Sequence, residues 1–157
     1  MTDIRPGDLV FCHRKGLVSA IIRLGTRSKW SHVAWVDRVD PEPILIEALT
    51  RGVVETPYSV YDDIKHEIVR PVLSGRDVEQ ARKFVRSCLG QKYGWRIIAG
   101  SAMRYLTPGH GLWFGMDGTE ICSGLCGQAL VRGWYNFTVN PASMSPEELY
   151  EQTRRTI

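Results

Sequence analysis

The segment TEICSGLCGQAL, residues 119–130, places Cys122 where a glycine-rich loop meets the start of a helical pattern. At a helix start the unpaired backbone N–H groups and the positive end of the helix dipole favour a thiolate, so a cysteine in such a place can lose its proton near neutral pH. Ser123, Gly124 and Gly127 are small enough to let a substrate carbonyl or another backbone come close. A thiol nucleophile also needs a base, and the base needs a group that orients it. His32, in KWSHVAWV at the head of an apolar strand pattern, is the histidine whose ring such neighbours would bury and fix. Glu47 interrupts ILIEAL, and a carboxylate in an apolar run either faces solvent or is buried with a partner. Leu45, Glu47 and Leu49 share one strand face and Ile44 and Ile46 the other; both faces are apolar, which points to burial of Glu47. Pairing of the two strands across a turn at 40–43 would bring positions 32 and 47 close to cross-strand register. The chemistry expected of this constellation is attack by Cys122, proton transfer by His32, and orientation and imidazolium stabilisation by Glu47.

The other groups of these types have blander readings. Cys126, one turn after Cys122, reads as a small buried hydrophobe. His13 and His66 sit near strand ends among charged neighbours and His110 lies between two glycines; lone histidines of this sort are more often structural or solvated than catalytic. Cys12, His13, Cys122 and Cys126 do not form the tightly spaced pairs on turns that build structural zinc sites, so neither a metal nor another cofactor is expected. The CxxxC pair also lacks the CxxC spacing of a redox centre.

The elements that must carry these residues change character halfway along the chain. DLVFCHR (8–14), HVAWVDRV (32–39), PILIEAL (43–49), GVVET (52–56) and HEIVRPV (66–72) are rich in Val, Ile and aromatics and bounded by Pro, Gly and Asp, which predicts strands. Short turns between them predict antiparallel neighbours. A helix is expected within LVSAIIRLGT (17–26), inserted between the first two strands. After residue 73 the period becomes helical. SGRDVEQARKFVRSCLG has one apolar face, a capping box of Ser74 and Asp77, and Gly90 as a stop. GWRIIAGSAMRYL predicts another helix ending before Pro108; EICSGLCGQALVRGW and SPEELYEQT predict two more, the last with Ser145, Pro146 and Glu148 at its start. Strands first and helices last define an α+β class. The 157 residues fit one domain, mainly β over 1–73 and mainly α over 74–157.

Composition bounds the partners. A formal charge of +3, with Lys and Arg scattered singly, gives no indication of nucleic-acid binding. No stretch approaches the ~20 apolar residues that span a bilayer, and the N-terminus lacks the pattern of a secretory signal. A protein without stable membrane insertion is expected, cytoplasmic or of the phage type released by other means, with its four cysteines as reduced thiols.

The motifs together resemble a known family. GQKYGWRIIAG, EICSGLCGQALVRGW and NPASMSPEELYE resemble the cysteine-bearing half of the NlpC-type papain-like hydrolases, whose motif runs Gly-x-x-Tyr-x-Trp and later Asp-Cys-Ser-Gly-Leu. RPGDLVFCH, WSHVAWV and ILIEA resemble their small β-barrel half. His32 precedes Cys122 here, as in the circularly permuted branch that includes relatives of lecithin retinol acyltransferase. The resemblance implies a permuted papain-like fold with Cys122 as nucleophile, His32 as base and Glu47 as third residue. Tyr93 aligns with the motif tyrosine, and Tyr93 and Ser123 become candidates for contact with the oxyanion or substrate. The motif's Asp is Ile121 here, preceded by Glu120, which weakens the case for recognition of a free substrate amine. The activity implied is hydrolysis of an amide through a thioester, on a cell-wall peptide or similar small acyl-amide. Lipid acyl transfer or deacylation is the alternative, since GLWFG (111–115) suits a greasy group as well as a peptide. An inert binding protein of the same fold is a third.

Overall fold

Alternating apolar strands over the first half and helical periods over the second give the chain a mixed α+β architecture. The computed structural model describes residues 3–13, 29–49, 51–91, 119–138 and 144–154. The strands are β1 (Leu9–Cys12), β2 (His32–Arg38), β3 (Ile44–Leu49), β4 (Gly52–Pro57) and β5 (His66–Val69); the helices are α1 (Gly75–Ser87), α2 (Thr119–Arg132) and α3 (Pro146–Arg154). All five strands form one antiparallel sheet in the order β4-β3-β2-β1-β5. The first and last strands stop short of their expected ends, β1 before His13 and β5 before Arg70 and Pro71; at β5 the proline has no N–H to continue a ladder. The helices expected at 17–26 and 94–106 lie outside the described residues.

The sheet is covered on both faces. Leu9, Phe11, Val33, Trp35, Ile46 and Ala48 join Cys122, Leu125, Cys126, Ala129 and Leu130 of α2 in the larger core. On the opposite face Val10, Cys12, Ala34, Val36 and Leu45 pack with Tyr61, from a short 3-10 helix at Tyr58–Tyr61. Two covered faces are the reason β2 and β3 read as nearly continuous apolar runs instead of alternating with polar residues.

Local signals set the helix ends. Ser74 accepts a hydrogen bond from the Asp77 N–H at 3.3 Å and Asp77 accepts one from the Ser74 N–H at 3.3 Å, completing the expected capping box. Ser145 and Glu148 repeat it at the head of α3, at 3.2 and 2.8 Å. Helices α1 and α2 pack closely where Gly133 follows α2: a Cβ there would lie 2.9 Å from the Asp77 carbonyl oxygen. That contact requires glycine.

Candidate active site

His32 is the first residue of β2 and stands opposite Cys12 on β1. Trp35 pairs with Ile46 and Val36 with Leu45; continuing this ladder sets Ala34 opposite Glu47, with His32 two residues further along the same face. The pair is thus a diagonal neighbour across the strands, two positions from direct register, and within reach of long side chains. His32 Nε2 and Glu47 Oε2 are 2.6 Å apart. Both are buried, at 5% and 1% exposure.

Glu47 is held by more than the imidazole. Thr56 of β4 donates its hydroxyl to Oε1 at 2.6 Å, and Tyr61 donates to Oε2 at 2.7 Å. Thr56 reaches it because Leu45 pairs with Thr56, which puts the threonine on the Glu47 face. Three donors on one buried carboxylate stabilise its charged form. Neither Thr56 nor Tyr61 was singled out from sequence. Strand alternation would have placed Thr56 on that face, whereas Tyr61 comes from a turn with no periodic signal.

Cys122 comes from the other layer. It is fully buried with the helix-side core, one turn before Cys126, and its sulfur is hydrogen-bonded to His32. His32, at the end of its strand, therefore joins a thiol from the helix side of the sheet to a carboxylate on the opposite side. Burial works to pull the His32 pKa down, but the charge and hydrogen bond of Cys122, then the hydrogen bond and charge of Glu47, outweigh it and raise the value to about 9. Burial pushes the Cys126 thiol well up, with the neighbouring Cys122 and Glu47 charges adding to it.

Helix α2 opens at Thr119, so Cys122 is its fourth residue. Ser123 is fully buried and donates its hydroxyl to the Met144 carbonyl oxygen at 2.6 Å, tying α2 to the segment before α3. Tyr93, His110 and residues 111–115 lie outside the described residues. His66 binds Tyr58 and the Ile64 carbonyl oxygen, both at 2.7 Å, and has no contact with His32 or Glu47 among those bonds. None of the four cysteines is in a disulfide. A groove of about 550 Å³ runs past Glu47 on the carboxylate's side of the site, lined by Leu49, Arg51, Thr56 and Val60 among others.

No protein-family model matches the chain, and no curated protein matches it either. Among the described residues no group of three or more His, Cys, Asp or Glu side chains is arranged to hold a metal ion, and no helix is long and apolar enough to cross a membrane.

Proposed function

We propose that the protein is a cysteine-dependent amide hydrolase of the permuted NlpC-type papain-like class, working through a thioester at Cys122 on a cell-wall peptide or similar small acyl-amide. The observation that supports it most is the continuous chain from Cys122 to His32 to Glu47, with the carboxylate fixed by Thr56 and Tyr61. With its pKa raised against burial to about 9 by Cys122 and Glu47, the His32 ring holds a proton beside the sulfur. Attack by the sulfur on the acyl carbon then lets the imidazolium pass its proton to the leaving amine. The neutral ring next takes a proton from water, whose oxygen releases the acyl group, and the pair is restored. Glu47 holds the ring orientation and stabilises its positive charge throughout.

A second reading, an inert binding protein that keeps these groups as a buried polar network, draws on the complete burial of the Cys122 side chain. Parallel incubation with muropeptides and with phospholipid or fatty-acyl substrates, followed by intact mass, tests the proposal. An acyl adduct on Cys122 from muropeptide, absent in Cys122→Ala, is the expected result. An adduct from lipid alone would replace amide hydrolysis by acyl transfer or deacylation, and no adduct from either would favour the inert reading.

A further inference from the structure

The β2–β3 hairpin changes register once, and the change decides whether His32 and Glu47 can meet. Near the turn Arg38 pairs with Ile44, but toward the site Trp35 pairs with Ile46 and Val36 with Leu45. Asp37 is the extra residue between the two registers. If the pairing at the turn end continued unbroken, Glu47 would stand opposite Trp35, and His32 would project from the other face of the sheet. One inserted residue corrects this. The Arg38–Glu55 ion pair, at 2.8 Å across β3, shows the turn-side register on the Ile44 face.

The inserted residue is not left loose. The Asp37 side chain is fully buried; Arg82 Nε reaches Oδ1 at 3.1 Å, Arg86 Nε reaches Oδ1 at 2.8 Å, and Arg86 Nη2 reaches Oδ2 at 2.7 Å. Both arginines lie on α1, four residues apart and so on one helical face. Burial opposes the charge on Asp37, but Arg86 and Arg82 outweigh it and hold the carboxyl below its ordinary range. Arg38 Nη1 also comes within 3.4 Å of Oδ2, and a carboxylate fixed from three guanidinium groups, two of them on α1, pins its own backbone, which here is the bulge.

We propose that Asp37, clamped by Arg82 and Arg86, is a positioning residue that holds the β2 bulge and so keeps His32 and Glu47 on one face of the sheet. The proposal rests on reading His32 and Glu47 as a working pair. It gives α1, which carries none of the reacting groups, a part in the site.

The test follows the His32 ring by NMR across pH in the full chain, with the His32 signal assigned by its loss in His32→Gln. The wild-type ring is expected to titrate at about 9, raised against its burial by Cys122 and Glu47. Asp37→Ala lowers that by about one unit or more, because the ring loses its carboxylate; Asp37→Asn, which keeps one acceptor, lowers it less. Arg86→Met, at a position 44% exposed on α1, gives the same downward shift and serves if Asp37→Ala does not fold. Val85→Ala, a core truncation in the same helix, reduces stability and leaves the His32 titration in place. Unchanged titration in the folded Asp37 and Arg86 variants, or an equal shift in Val85→Ala, overturns the proposal. Selective alkylation of Cys122, followed in the same samples, reports on the catalytic reading separately: its absence in wild type with a His32 shift in Asp37→Ala would sink the chemistry and leave the positioning role standing.

Discussion

Two buried carboxylates stand on one β-hairpin and have opposite company. Glu47 is bound by an imidazole and two hydroxyls, while Asp37, toward the turn, is bound by arginines. Guanidinium groups do not lose their protons at any ordinary pH, so the charge around Asp37 is permanent and suits a clamp. The charge beside Glu47 rests on a histidine and can move. The same physical need, a partner for a buried anion, is met in one place by groups that fix structure and in the other by a group that can exchange a proton.

The contrast is broken most sharply by neutralising each acid. Glu47→Gln should leave a folded protein whose kcat/KM on a responsive amide falls by about a hundredfold or more, since the ring loses both orientation and counter-charge. Asp37→Asn should instead lower stability by about 2 kcal/mol, because the guanidinium groups of Arg38, Arg82 and Arg86 lose a charged partner; chemical denaturation followed by circular dichroism checks it. A Glu47→Gln variant with full activity would remove the distinction between the two sites.

Smaller effects sharpen it. Tyr61→Phe and Thr56→Val each remove one donor from Glu47, and each should cost about 1–2 kcal/mol and move the His32 titration downward only slightly. The pH dependence of stability carries a defined sign. His32 has a folded pKa raised to about 9 from 6.5, so its contribution is fully present below about 6.5 and is lost as pH rises through about 9. The melting temperature of wild type should therefore fall over that window more than that of His32→Gln. Least of all, Cys126→Ala, a small truncation next to Cys122, should leave the His32 titration within about 0.3 units of wild type.

Much of this was legible in residue types and spacing. Continuous apolar runs bounded by Pro, Gly and Asp located the five strands, and Ser74, Asp77, Ser145 and Glu148 marked two helix starts through hydrogen bonds that depend only on neighbours in sequence. The odd acid in ILIEAL pointed to a buried partner, and His32 is that partner. The bulge was not legible: Asp37 looks like one more polar residue near a turn until the arginines of a helix some 45 residues later close on it. Tyr61 escaped for the same reason, since a carboxylate's partners are chosen by the folded sheet and not by local spacing. The position of Cys122 within its helix depended on where the helix opens.

The central claim is that the imidazole sets Cys122 apart from a thiol of equal burial one turn away. Cys122 and Cys126 are both fully buried, so access affects them alike. Iodoacetamide at pH 6, with peptide mapping of each modified cysteine, compares them directly. Modification of Cys122 well before Cys126 in wild type, with that preference gone in His32→Gln, is the predicted result; equal modification of the two thiols in wild type would contradict it.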